Sequence, residues 1–191
     1  ISACLVGSEM CIRDSYEILC VLGDLIKSGK IRHVGLSNEN PWGIMRFLEE
    51  AKNDLPKMIT VQNSYSLLNR QYEVGNAEIS MRENIGLLAY SPLACGVLSG
   101  KYINGTDQPN SRLNLFKRFV RYSSDQSTEA TRRYLNLAQQ FDISLTKMAL
   151  AFVNQQPFVT SNIIGATTLS QLGENIESIN CLLYTSDAAD E

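Results

Sequence analysis

A chain of 191 residues with 44 % hydrophobic and 19 % charged residues has the make-up of a folded domain around one core, which excludes disordered and fibrous classes. Its 17 Lys and Arg against 20 Asp and Glu leave a net charge of -3 with the cations scattered, so neither nucleic acid nor an anionic membrane surface is expected as a partner. No stretch reaches the roughly 20 apolar residues of a membrane span and no charged-then-apolar leader opens the chain, so a cytoplasmic protein is expected.

Residues 1–15, ISACLVGSEMCIRDS, sustain neither strand nor helix periodicity, and residues 181–191, CLLYTSDAADE, break the pattern of the segment before them. Both strings resemble translated sequencing-adapter read-through and are read as artefactual extensions of a domain over residues 16–180. Cys4, Cys11, Cys20, Cys95 and Cys181 are odd in number and irregular in spacing, which predicts neither a disulfide framework nor a metal site.

From Tyr16 to Ser28 the apolar positions Ile18, Leu19, Leu22, Leu25 and Ile26 predict a helix, with Gly29 as its C-terminal cap. IRHVGLS (31–37) predicts a buried strand, and Asn40-Pro41 an N-cap and first-turn proline for a helix carrying Ile44, Phe47, Leu48 and Ala51. MITVQ (58–62) reads as the next strand, residues 69–83 as a weaker helix and IGLLAY (85–90) as a third strand. Residues 91–125 form a long irregular segment of the kind that is usually functional. Two helical faces follow, Ala130, Tyr134, Leu137, Ala138 and Phe141, then Leu145, Met148, Ala149, Phe152 and Val153, the second capped by Ser144 and stopped by Pro157. SNIIGA (161–166) predicts a fourth strand, and Thr168 to Gln171 the capping box of a helix with Leu169, Leu172, Ile176 and Ile179 on one face. Apolar strands separated by helices imply a parallel α/β sheet of four strands, half the number in a (β/α)8 barrel.

At the C-terminal ends of these strands stand Ser37-Asn38, Gln62-Asn63, Tyr90-Ser91-Pro92 and Gly165-Ala166-Thr167. In their settings GKIRHVGLSNEN, ITVQNSYSLLNR, LLAYSPLACGVLSGKY and IIGATTLSQLGENIES, taken in that order from about Tyr16 to Asn180, they resemble the aldo-keto reductase superfamily, nearest its bacterial Tas branch. The resemblance implies strands five to eight of a (β/α)8 TIM barrel, the C-terminal half, truncated at both ends. It implies an NADP(H)-dependent oxidoreductase that reduces aldehydes or ketones to alcohols by hydride transfer. The family's Tyr proton donor and its Asp, Lys and His partners come from the first four strands, so no catalytic residue is carried over, neither to Tyr16 nor to His33, and this chain alone is expected to be inactive. His33, a lone histidine without a partner motif, reads as structural or surface.

The resemblance does carry a cofactor cradle. Ser37, Asn38 and Gln62 match the group that hydrogen-bonds the nicotinamide carboxamide, for which donor-and-acceptor side chains are suited. Tyr90 matches the aromatic that stacks on the nicotinamide face. Ser91, Pro92, Leu93 and Ala94 match the backbone around the pyrophosphate, and Lys101 and Arg112 the basic residues that pair with cofactor phosphates. Gly165, Thr167, Gln171, Glu174 and Asn175 match the adenosine end, where a helix N-terminus capped by Thr168 favours an anion. Residues 163–175 contain no basic side chain, a departure from many relatives that leaves the 2′-phosphate to hydroxyls, amides, the helix dipole and the basic loop.

Two readings of the cradle remain open: the enzyme, with a small carbonyl compound as substrate, and an NADP-binding regulatory module resembling potassium-channel β-subunits. Half a barrel would leave outer strand edges at residues 31–37 and 161–165, and the faces of Val34, Val61, Leu88 and Ile164, without partners.

Overall fold

The computed structural model describes residues 15–103, 113 and 120–183. Four strands hydrogen-bond in sequence order, β1 (Gly35–Ser37), β2 (Thr60–Ser64), β3 (Gly86–Tyr90) and β4 (Val159–Asn162), with β1 parallel to β2. Helices intervene: α1 (Ser15–Lys27), α2 (Pro41–Ala51), α3 (Asn76–Glu83), α4 (Asp125–Gln140), α5 (Leu145–Asn154) and, after β4, α6 (Leu169–Glu177). Among the described residues no helix is long and apolar enough to cross a membrane. The chain divides into two compact units, one of Ile1–Asn63 and Gln71–Leu88, the other of Ser64–Arg70 and Ala89–Glu191.

In the first unit the core is Leu19 of α1, Ile44, Phe47 and Leu48 of α2, and Leu36, Val61 and Leu87 of the strands, all buried. Helix α1 ends as Gly29 predicts: with φ at +71°, the Gly29 N–H bonds to the Ile26 carbonyl at 2.9 Å and the Lys30 N–H to that of Leu25 at 3.0 Å, the two bonds of a Schellman cap. Because that cap also takes the Ile31 N–H, again on Leu25, the strand expected over 31–37 starts only at Gly35. Asn40 caps α2 through Oδ1, which accepts the Gly43 N–H at 2.8 Å. The helix expected over 69–83 is broken. Asn69 and Ser66 exchange backbone hydrogen bonds, Gln71–Glu73 form a short 3-10 turn, and Gly75 at φ +91° resets the chain before α3. A 2.6 Å hydrogen bond between the buried Tyr72 and Ser80 hydroxyls ties the two pieces, and burial pushes the Tyr72 phenol above its ordinary pKa.

In the second unit Ala94, Val97, Leu98, Tyr122 and Ala149 form one cluster, and Ala138, Leu145 and Met148 another. Tyr65, fully buried, stacks on Phe152 and meets Phe158 edge-on at 5.4 Å. The helix expected from Ala130 begins five residues earlier, capped by Ser124; its polar first turn carries no apolar periodicity. Its buried face runs through Thr131 and Ala138, while Leu137 and Phe141 are exposed. The fourth strand lies two residues before its expected start: the Ile163 N–H makes a last bond to the Ala89 carbonyl at 2.8 Å, and a loop then leads to the Thr168 cap.

Candidate functional site

The first unit contributes three polar side chains from adjoining strand ends. Leu36 pairs with Val61 and both are buried, so the next pair in register, Ser37 with Gln62, emerges on the opposite face. Gly35 permits this register: a Cβ there would lie 2.3 Å from Thr60 Oγ1 and 2.9 Å from its carbonyl oxygen. The ladder continues one residue further, where the Asn38 N–H donates to the Gln62 carbonyl at 3.0 Å. Asn38 is left-handed at φ +56°, a conformation asparagine tolerates better than most residues, and its amide donates to Ser37 Oγ at 3.3 Å. The half-buried Gln62 carboxamide makes no side-chain hydrogen bond among the described residues, so it retains both a donor and an acceptor. Asn63, its neighbour, is a structural tie: its amide, like that of Asn76, donates to the Glu39 carbonyl, at 3.0 and 3.3 Å respectively. His33 is exposed.

In the second unit Tyr90 closes β3 half-buried, and the backbone then turns sharply. Ser91, Ala94, Cys95 and Gly96 have φ of 54°, 47°, 59° and 93°. Left-handed non-glycine residues cost about 1 kcal/mol each and persist only where the surroundings hold them. Here Pro92, Ala94, Val97 and Leu98 are buried beneath the turn, and the Ala94 and Gly96 N–H groups close it on Ser91 and Leu93 at 2.9 and 2.8 Å. Leu93 is half-buried against the same cluster. Lys101 folds back over this turn, its Nζ 5.1 Å from the Tyr102 ring and 3.3 Å from where a Gly96 Cβ would stand. Arg112 lies outside the described residues.

The third group is local to α6. Thr168 Oγ1 accepts the Gln171 N–H at 3.2 Å, as a cap should. The reciprocal arm of the expected box differs: Gln171 Oε1 takes the Thr167 N–H at 2.9 Å and its hydroxyl at 3.0 Å, so the residue before the cap is the one clasped. Gly165 is exposed, and its carbonyl accepts from the buried Asn175 amide at 3.5 Å. Glu174 Oε1 accepts the Ser144 hydroxyl at 2.5 Å. Of the predicted apolar face, Leu169, Leu172, Ile176 and Ile179 are all exposed, and Asn175 is the buried position.

Two residues escaped the sequence reading. Arg121 has its guanidinium beside the Tyr122 and Tyr90 hydroxyls, which hold its pKa above the ordinary arginine value. It sits in a stretch with no periodic signal, so nothing marked it. Ser144 was legible as a cap but not as the partner of Glu174, 30 positions away.

The sequence comparisons agree with one another. The Aldo/keto reductase family model matches residues 10–190. Protein tas of Escherichia coli strain K12 is 49 % identical over 165 residues, which are 86 % of this chain and 48 % of tas. An aldo-keto reductase of Babesia bovis is 41 % identical over 165 residues, 83 % of this chain and 58 % of that protein. The L-glyceraldehyde 3-phosphate reductase of the same E. coli strain is 34 % identical over 176 residues, 89 % of this chain and 51 % of the reductase. The chain spans about half the length of the curated relatives it matches. With a family model matching residues 10–190 and relatives 34 to 49 % identical over more than four fifths of it, the chain belongs to the aldo/keto reductase family.

Proposed function

We propose that the chain is the cofactor-holding, C-terminal half-barrel of an NADP(H)-dependent reductase of aldehydes or ketones. The observation that carries the reading is the register of Ser37 with Gln62, continued by Asn38. That register presents a hydroxyl and two carboxamides, the complement of a ligand carboxamide that both donates and accepts. Its fit to a nicotinamide is supported by the unspent Gln62 side chain, which would gain partners on binding. When bound, the nicotinamide supplies a hydride to a carbonyl carbon.

In this reading Tyr90 offers a flat apolar face to the ring and fixes which side of it is exposed. The turn from Ser91 to Ala94 is already held in its strained form, so it would hold the pyrophosphate without paying again for ordering. Lys101, and with it Arg112, balances phosphate charge. Gly165, Thr167, Gln171, Glu174 and Asn175 shape the adenosine end, with the α6 N-terminus oriented for an anion. Because no side chain of this chain is assigned the proton transfer to the alkoxide, worth roughly 10² to 10⁴-fold in rate, the chain by itself binds cofactor without turning over a carbonyl.

Titration of NADPH fluorescence with the 191-residue chain, alongside an aldehyde-dependent NADPH oxidation assay, tests this. The expected result is saturable binding, weakened by Gln62→Leu, with no oxidation above background. Absence of binding would overturn the cradle. Turnover abolished by Tyr90→Ala would overturn the division of labour.

A further inference from the structure

We propose that Ser144 is a positioning residue for the adenosine end of the cofactor, acting through Glu174. The inference rests on the reading of Glu174 as a cofactor residue. Ser144 is the N-cap of α5, and its Oγ accepts the Lys147 N–H at 3.1 Å. That bond fixes the oxygen as an acceptor and leaves the hydroxyl proton free to be donated elsewhere. It goes to Glu174 Oε1 at 2.5 Å, a hydrogen bond to a carboxylate of the short, strong class. One hydroxyl therefore starts one helix and orients an acid on another.

A second tie lies beside it. Lys147 Nζ and Glu177 Oε2 are 2.6 Å apart, and the pair raises the lysine pKa and lowers that of the acid. Glu174 and Glu177 are three residues apart, hence on one side of α6. Two bonds from the first turn of α5 thus fix the rotation of α6 about its own axis. That rotation sets where Asn175 meets the Gly165 carbonyl and where Gln171 clasps Thr167. The Lys147 pair is exposed and replaceable by solvent. Ser144 differs because its proton also selects the rotamer of Glu174 itself, a long side chain that would otherwise hold its freedom at the surface.

Three variants separate this role from capping. Ser144→Asp keeps a good cap acceptor but has no proton to donate at neutral pH and sets a like charge against Glu174. Ser144→Thr keeps both functions, and Ser144→Ala keeps neither. The probe is adenosine 2′,5′-bisphosphate, titrated calorimetrically against the full chain, with the urea midpoint of each variant as control. Ser144→Asp is expected to unfold near the wild-type midpoint yet bind roughly tenfold more weakly, the scale of one charge-assisted hydrogen bond, and Ser144→Thr to bind as wild type. Wild-type affinity in a folded Ser144→Asp protein overturns the inference and leaves the cradle standing. A wild-type chain that does not bind the probe overturns the proposed function, and this inference with it.

Discussion

The smallest residues decide the most at the strand ends. Gly35 carries no signal of periodicity, yet a methyl group in its place would lie 2.3 Å from Thr60 Oγ1 and 2.9 Å from the Thr60 carbonyl oxygen, and the hydroxyl can turn aside whereas the paired backbone must shift. Gly35→Ala should therefore force β1 away from β2 and cost about 1 to 3 kcal/mol, as overpacking does. Since Ser37 and Gln62 meet two residues further along the same pairing, the variant should also weaken binding at the nicotinamide end. Chemical denaturation with NADPH titration checks both. An unchanged midpoint would mean that the close approach is not a constraint. The converse case is Glu174, which the family resemblance matches to the adenosine end of the cofactor, while the structure adds that one of its oxygens is already held by Ser144. A motif names the residue types that a ligand requires. It says nothing of the neighbours that hold them.

Among the elements, those defined by caps and two-sided apolar runs were legible, and those defined by interruptions were not. Asn40-Pro41, Ser144 and Thr168 start helices where the sequence places them, because the capping bond is made within three residues and needs no tertiary partner. IGLLAY becomes β3 with only its first residue lost. The segment 69–83 misled because its helical spacing outweighed Gly75, and the bridge between Ser66 and Asn69 is a turn feature that periodicity does not register. The early start of α4 was hidden by a first turn of Asp, Gln, Ser, Thr and Glu, residues that satisfy a helix N-terminus without an apolar face. Gly29 belongs to the legible set and gives the sharpest test at this scale. Its left-handed φ of +71° ends α1 with no atom near its absent side chain, so Gly29→Ala isolates backbone strain from packing. The expected loss is about 1 kcal/mol, measured as a shift in the denaturation midpoint with no change in NADPH affinity. A neutral or stabilising effect would show that the cap tolerates an ordinary residue.

At the scale of the whole molecule, the sheet ends among the described residues in a strand, β4, that pairs with no further strand. β4 is last in the strand order, and its residues Val159, Thr160, Ser161 and Asn162 include no charge and no proline. These are the devices by which soluble proteins blunt a free edge. The segment before β1 is different, since Lys30, Arg32 and His33 stand there. Beside β4 runs a groove of about 390 Å³ lined by Asn154, Asn162, Ile164, Ile176 and Ile179. The buried Asn162 Oδ1 has no hydrogen-bond partner among the described residues, and Leu169, Ile176 and Ile179 are 87 %, 54 % and 70 % exposed. Of the four side chains expected to lack partners, Ile164 is 37 % exposed and Leu88 half-buried, whereas Val34 and Val61 are buried, at 8 % and 0 %. An uncharged edge next to an apolar stripe associates. The isolated chain should sediment as concentration-dependent oligomers, and Thr160→Lys with Ile176→Glu, which place charges on the edge and on the stripe, should shift it towards monomer without lowering its unfolding midpoint by more than about 1 kcal/mol, since both positions are exposed. Sedimentation velocity across a hundredfold range of concentration decides. A wild-type chain that stays monomeric throughout would mean that β4 and α6 are stable as solvent-facing surfaces and that the edge is not a site of association.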